Sequence, residues 1–388
     1  MYIAILGRQP ALGIAELERI YDSDAVDWFS SHSALVDTED FSLARLGGTL
    51  KAGRVVAELS GDWRRVSEKI ISEYSATWAS SEGKITLGIS AYGFDISPRD
   101  VQKTGIVLKQ RLKKSGVSLR LVPNSELALS SATSHHNKLG LSDNKVEFLV
   151  IRGKGGKVIV AESTGAQNIT AYTKRDQERP KRDAFVGMLP PKLAQMMINL
   201  AGTSERLRIL DPFCGTGVIL QEAALMGYPV YGTDLADKMI EFSKANLAWL
   251  ETSHHINVTS DLHQGDAMTT TWQQPIDAVV TETYLGQPFS APPSSSKLAE
   301  VRRNCDHILS SFLKNIGNQI KPGTPLCVAI PAWKDANGTF THLSLTGKLS
   351  ELGYERVAFK NVEAADLLYY REDQIVAREL LVLKKVAQ

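Results

Sequence analysis

Apolar residues recur along this chain in two rhythms. In the first third, short apolar or alternating runs, "YIAILG", "SALVD", "KITLGIS", "SLRLVP", "FLVIRG" and "KVIVAES", read as strands. Stretches with apolar residues three or four apart lie between them: about Ala11 to Tyr21, "WRRVSEKIISEY", and the segment after Pro98. These predict helices. The pattern restarts near residue 60, so two small α+β units are expected, residues 1–58 and 59–165. Residues 166–186 are polar, charged and carry Pro180, and read as a linker.

From residue 187 onward the rhythm is strand, helix, strand. "RLRIL" leads into "DPFCGTG"; a helix is expected from Val218 to Met226, a strand at "YPVYGTD" and a helix at "LADKMIEFSKANLAWL". Further strands are expected at "INVTS", "IDAVVTE", "PLCVAI", "YERVAFK" and "ARELLVL", and a loop at "APPSSS", residues 291–296. This alternation predicts an α/β domain over 187–388, a doubly wound, mainly parallel sheet with helices on both faces. No helical segment separates the last two strands, so the final one is expected to run antiparallel.

Composition narrows the class. A chain of 388 residues with 43% hydrophobic content can fill two or three cores. It has no apolar run of bilayer-spanning length and no basic-then-apolar leader, so a soluble, non-secreted protein is expected. Cys214, Cys305 and Cys327 are far apart and form no metal-ligand pattern, which suits a reducing cytoplasm. The net charge of +1 conceals an asymmetry: residues 1–183 carry four surplus basic residues and the remainder three surplus acidic ones. The basic excess gathers at residues 99–120 and in "KRDQERPKR", residues 174–182.

Candidate chemistry lies at the strand ends. "LRILDPFCGTGVIL" sets Asp211 at the end of a strand, then Gly215 and Gly217, then a helix start; Asp234 ends the next strand, and Asp266 follows the third in "HQGDAM". Ligands bind open parallel sheets beyond the carboxyl ends of the strands, where glycines let backbone approach closely. G-x-G alone is equally a ligand-free turn, but three acids at successive strand ends would repel one another without a partner. A dinucleotide would want a third glycine where Leu220 stands, and its phosphate would meet Asp211. A cationic cofactor, S-adenosylmethionine, suits the acids better.

At these residues the sequence resembles the class I methyltransferases that modify guanosine in RNA, through "DPFCGTG", "EAALMG", "YGTD" and "GDA". "RDQERPKRDAFVGMLPPKLAQMMINLAG", residues 175–202, is similar to the segment joining a THUMP RNA-binding domain to that catalytic domain, and "SATSHHNKLGLSDNKVEFLVIRGKGGKVIVAEST" to the end of a THUMP unit. The resemblance covers nearly the whole chain, most strongly residues 130–286. It implies the THUMP-domain tRNA guanosine-N2 methyltransferases, whose archaeal and eukaryotic members act on the guanosine at tRNA position 10. The implied architecture is a ferredoxin-like domain (1–58), a THUMP domain (59–165), a linker (166–186) and a methyltransferase domain (187–388) with a Rossmann-like sheet. Cofactor binding is implied for Asp211, Phe213, Gly215, Gly217, Asp234, Asp266 and Ala267. Contacts to structured RNA, foremost tRNA, are implied for Lys103, Lys109, Arg111, Lys113, Lys114, Arg175, Arg179 and Arg182.

The fourth strand departs from the family. There it ends in D-P-P-Y or N-P-P-Y before a glycine; here the chain reads "IDAVVTETYLGQP". Aligned without a gap, Glu282 takes the acid's place, Thr283 and Tyr284 replace the prolines, Leu285 stands at the aromatic and Gly286 is kept. Sliding by one puts Tyr284 in the stacking position and Thr281 in the acid's. The ungapped register makes Glu282, Thr283 and Tyr284 the catalytic set, with Glu282 accepting a hydrogen bond from the guanine amine and Tyr284 stacking. A non-catalytic or retargeted RNA-binding protein on the same fold is the rival reading; a DNA amino-methyltransferase fits the THUMP-like front less well. His135, His136, His254 and His255 read as surface residues, Cys214 as packing, and "LLYYREDQIVARE", with Arg371 and Arg378, as an edge hairpin.

Overall fold

The computed structural model describes residues 1–183, 189–202, 207–289 and 291–387; the end of the expected linker, 184–186, and residue 187 lie outside them. The chain forms two compact units, Met1–Pro10 with Tyr21–Ala171, and Ala11–Ile20 with Tyr172–Gln388.

The first unit is built on one eight-stranded sheet: β1 (Tyr2–Leu6), β2 (Val26–Ser30), β3 (Ser33–Val36), β4 (Thr49–Ser60), β5 (Lys84–Tyr92), β6 (Ser118–Leu121), β7 (Lys145–Arg152) and β8 (Lys157–Ala166). Their order is β2-β3-β1-β4-β8-β7-β5-β6. The sequence pattern predicts two separate units with a boundary at residue 58. Instead β4 pairs with β1 on one side, Tyr2 opposite Arg54, and with β8 on the other, from Lys51 opposite Ala166 to Ser60 opposite Lys157. One twelve-residue strand therefore fuses both halves into a single hydrogen-bonded layer.

The first helix, α1 (Pro10–Tyr21), lies in the stretch expected to belong to the ferredoxin-like domain, but its residues 11–20 fall in the second unit. Its polar residues explain this. Buried Glu16 accepts from Asn199 Nδ2 (2.7 Å), buried Glu18 accepts from the backbone N–H groups of Lys360 and Asn361 (2.8 Å each), and Arg19 donates to the carbonyls of Leu200 and Ala201 (3.0 and 3.1 Å).

In the first unit, α2 (Trp63–Thr77) starts at Asp62, whose side chain accepts from Arg65 N, and buries Trp63, Val66, Ile70 and Tyr74. The basic helix α3 (Pro98–Lys114) begins with a Ser97/Asp100 capping box and Pro98 in its first turn. It buries Val101, Leu108 and Leu112, leaving its cations outside, and Arg111, Lys113 and Lys114 meet the negative end of the helix dipole. A short helix, α4 (Ser131–His136), follows. The same unit holds a fully buried ion pair, Lys51 with Glu147. Ser90 donates to the same carboxylate (2.6 Å) and Lys51 Nζ to the carbonyl of Leu129 (2.7 Å), so a polar network ties the 122–130 loop to the sheet.

The expected linker is structured where described. Helix α5 (Ile169–Gln177) occupies it, with Tyr172 buried and bonded to Gln195.

The second unit carries α6 (Pro191–Ala201), β9 (Ile209–Asp211), α7 (Val218–Leu225), β10 (Val230–Asp234), α8 (Asp237–His254), β11 (Ser260–Gln264), β12 (Ala278–Glu282), α9 (Ser295–Gly317), β13 (Pro325–Lys334), β14 (Phe340–Thr341), β15 (Tyr354–Arg356), β16 (Leu368–Tyr369) and β17 (Val376–Lys385). The sheet runs β11-β10-β9-β12-β13-β17-β15, with β14 on β13 and β16 on β17. Strands β9 to β13 are parallel and β17 is antiparallel to both neighbours, as its connection predicts. β11 starts at Ser260, where the expected strand ended: the polar SDLHQ segment, not INVTS, forms the edge. Strand order reverses between β9 and β12, so the carboxyl ends of those two strands flank the switch point.

Candidate active site

The switch-point loop is fixed by its own backbone and by α8. Cys214 N donates to Thr233 O (2.9 Å) and Gly217 N to Cys214 O (2.7 Å), curling the chain between β9 and α7. Gly215 and Gly217 hold φ of +52° and +81°, a left-handed conformation that side chains disfavour. A Cβ on Gly217 would also lie 2.8 Å from Ser243 Oγ. Ser243 in turn donates to Gly215 O (2.8 Å), and Asn246 to Thr216 O (2.8 Å).

Around this loop lies a 290 Å³ cleft lined by Leu189, Asp211, Phe213 to Thr216, Val218, Ile219, Asp234 and the 282–286 segment. Three carboxylates converge on it. Asp211 is 1% exposed, accepting from Thr281 Oγ1 (2.6 Å) and Phe213 N (3.2 Å). Burial pushes its pKa up to about 7 against those two hydrogen bonds, with smaller upward contributions from Asp234 and Glu282. Asp234 accepts from Gly215 N and Ala236 N, both at 2.9 Å, and burial raises its pKa too. A cleft of this kind disfavours anions and gains from a cation. The donor set therefore fits the ammonium and sulfonium of S-adenosylmethionine: Asp211 would face its positive charge, Asp234 would have lone pairs left for the ribose hydroxyls, and the Gly215–Gly217 backbone would allow close approach.

Two expected cofactor residues do not line this cleft. Asp266 sits just past β11 with its side chain turned back to accept from Met268 N (2.9 Å), and Ala267 is packed in the core behind, its carbonyl taken by Asn315 (3.0 Å). Glu282 ends β12 and is bonded to Arg378 Nε, the two side chains 13% and 10% exposed. Thr283 faces inward: its N–H and Oγ1 both donate to Ala329 O (3.0 and 3.2 Å), so its hydroxyl is committed to the sheet and not to a substrate. Tyr284 is 45% exposed at the cleft wall, available for stacking. Gly286 turns the chain at φ +81°.

Sequence reasoning placed Thr281 only in the shifted register and Arg378 only in the hairpin, and missed their bonds to Asp211 and Glu282. Thr281 could have been found from strand alternation, which sends it to the face opposite Glu282. Arg378 could not, because its placement depends on β17 lying beside β13 inside the sheet. The hairpin expected at "LLYYREDQIVARE" is present: β16 pairs antiparallel with β17, Leu368 opposite Glu379 and Tyr369 opposite Arg378, while β13 lies on the other side of β17, and Arg378 is buried.

The proposed RNA contacts divide. Lys103, Lys109, Arg111, Lys113 and Lys114 are exposed along α3, and Lys109 and Lys113 share a groove with Lys84 and Arg120. Arg182 is exposed as well. Arg175 and Arg179 are not available. Arg175 forks onto buried Glu222 (2.6 and 3.0 Å) over the Tyr172 ring, and Arg179 is 3% exposed. Arg175 is committed to Glu222 inside the second unit, whereas buried Arg179 has Asp176 at 3.8 Å and leaves its Nε and one Nη without a hydrogen bond among the described residues.

The RMKL-like methyltransferase domain family matches residues 179–337, and a DNA methylase family matches residues 63–245. A tRNA (guanine(10)-N2)-dimethyltransferase of Methanothermobacter thermautotrophicus is 35% identical over 163 residues, 41% of this chain and 44% of that protein. A protein of Methanothermococcus thermolithotrophicus named "Probable tRNA (guanine(10)-N2)-dimethyltransferase" is 31% identical over 121 residues, 30% of this chain and 73% of that one. The chain belongs to the tRNA guanine-N2 methyltransferase family. A solved structure, TrmN from Thermus thermophilus, superposes with a TM-score of 0.54 at 16% identity, covering 99% of both chains. The fold of this tRNA guanine-N2 methyltransferase family member is therefore that of the class I enzymes, and its switch-point cleft is where that fold binds its ligand. The match spans less than half the length of the Methanothermobacter relative. Among the described residues no helix is long and apolar enough to cross a membrane.

Proposed function

We propose that this protein is a cytoplasmic enzyme that transfers a methyl group from S-adenosylmethionine to the exocyclic N2 of a guanosine in tRNA. One observation carries the reading: Asp211, Asp234 and Glu282 converge on a single cleft at the switch point of a class I sheet. When bound, the cofactor supplies an electrophilic methyl group. The nitrogen of a guanine amine is a poor nucleophile because its lone pair is delocalised into the ring. Glu282, accepting one of its hydrogens, would localise that lone pair and stabilise positive charge developing on nitrogen. Tyr284 would stack on a base turned out of its helix.

In this reading residues 59–165 serve as the THUMP part of the shared front sheet and the 1–58 strands as its ferredoxin-like part, with the exposed cations of α3 and Arg182 meeting RNA phosphate. The names of the relatives make guanosine 10 the first position to examine. Mass-spectrometric analysis of tRNA nucleosides from cells with and without the protein tests the proposal. Loss of an N2-methylated guanosine on deletion is expected. An unchanged nucleoside profile, with tRNA still bound by the purified protein, would favour a non-catalytic binder.

A further inference from the structure

The family's D-P-P-Y turn fixes its acid with two prolines, and this chain has neither. The structure shows what stands in their place. Thr283 anchors the turn to Ala329 O through two donors, and Glu282 is gripped by Arg378, which reaches it from β17, two strands away across β13. The neighbouring acid on its own strand, Glu379, is occupied by His342 (2.7 Å) and Arg356 (3.3 Å), and among the described residues Glu282 is the carboxylate bonded to Arg378.

Glutamate is one methylene longer than the aspartate of the family motif and carries one more rotatable bond. Left alone at a strand end without prolines, its carboxylate would sweep the cleft mouth. Arg378 Nε engages Oε1, which leaves Oε2 as the oxygen able to accept from a substrate amine. We propose that Arg378 is a positioning residue: it aims Glu282 at the target amine and replaces, by a side-chain restraint from the sheet, the rigidity that the prolines provide elsewhere in the family. This rests on the methyltransferase reading of the same site. Arg378 touches neither reacting atom; its action is through Glu282.

The test is a double-mutant cycle over Arg378→Ala, Glu282→Gln and the double variant, in single-turnover transfer to tRNA. Arg378→Ala should slow transfer tenfold or more while leaving S-adenosylmethionine affinity and the KM for tRNA within about twofold. Glu282→Gln should cost little further in the Arg378→Ala background. Millimolar guanidinium should restore part of the rate to Arg378→Ala and none to Glu282→Gln. Wild-type rates in Arg378→Ala, or losses that multiply in the double variant, would overturn the proposal. Arg378→Met, which keeps the buried volume, substitutes if the alanine variant fails to fold. Hydrogen exchange gives an arm independent of turnover: amides of residues 283–286 should exchange faster in Arg378→Ala while those of β9 and β10 do not change. If wild type methylates no RNA, the methyltransferase reading fails; unchanged exchange in residues 283–286 refutes the positioning role in its own right.

Discussion

Replacing Asp211 by Asn should stabilise the free protein at alkaline pH and weaken its grip on a cationic cofactor. The carboxyl is buried, and its pKa is raised from 3.8 to about 7, chiefly by burial. A proton is thus held more tightly by the folded chain than by the unfolded one. Below about pH 4 both states are protonated and the group contributes nothing. As pH rises towards 7 the unfolded chain ionises first and stability falls, and above 7 the cost is constant. About three pH units at 1.36 kcal/mol each set an upper bound of about 4 kcal/mol. Asn keeps an acceptor for Thr281 and Phe213 but a weaker one, which brings the expected gain to roughly 2–3 kcal/mol at pH 8 relative to pH 4. Urea unfolding of both proteins between pH 4 and 9 measures this directly. Stability curves that run parallel across that range would refute the buried-carboxylate account. Titration calorimetry of S-adenosylmethionine in buffers of differing ionisation enthalpy should also show proton release near pH 7 in wild type and less in Asp211→Asn.

Other substitutions separate structural cations from RNA contacts. Arg175→Ala leaves Glu222 buried without its partner and should lower unfolding free energy by roughly 3–5 kcal/mol in urea titrations, with little change in tRNA affinity for the folded fraction. Lys109→Glu with Lys113→Glu should do the reverse: unfolding unchanged, tRNA binding weaker, and the slope of log affinity against log salt reduced by about 2 or more. Gly217→Ala forces a side chain into φ +81° against Ser243 and should cost roughly 1–3 kcal/mol, read by thermal unfolding, as well as cofactor affinity. Asp234→Ala should weaken S-adenosylmethionine binding by roughly 2–4 kcal/mol in calorimetry of the folded variant.

How much of this was readable beforehand depends on whether the signal was local. The parallel sheet, the glycine loop after Asp211 and the antiparallel last strand followed from alternation and turn chemistry, because each is decided by neighbours in sequence. The front boundary did not. Nothing local to β4 says that its two edges pair with β1 and β8, and nothing local to α1 says that Glu16 and Glu18 will be met by Asn199 and the 360–361 amides. Within the basic run at 174–182, the burial of Arg175 was not readable, because charge on a helix resembles a solvent face until a buried acid such as Glu222 is seen opposite it. Helix α9 was missed despite a clear signal, since Val301, Cys305, Leu309, Phe312 and Ile316 recur at helical spacing. At the site, Asp211, Asp234 and Glu282 were legible as strand-end acids, whereas the partner that restrains Glu282 is 96 residues away in the chain.

The central claim is that Glu282 orients a guanine amine for methylation. Single-turnover transfer from methyl-labelled S-adenosylmethionine to transcribed tRNA, followed by nucleoside digestion and mass spectrometry, tests it most directly. Wild type should place the label on guanosine N2, Glu282→Ala should be slower by roughly a hundredfold or more with cofactor and tRNA affinities nearly unchanged, and Glu282→Gln should fall between them. Equal rates in wild type and Glu282→Ala, or label on any atom other than guanosine N2, would contradict it.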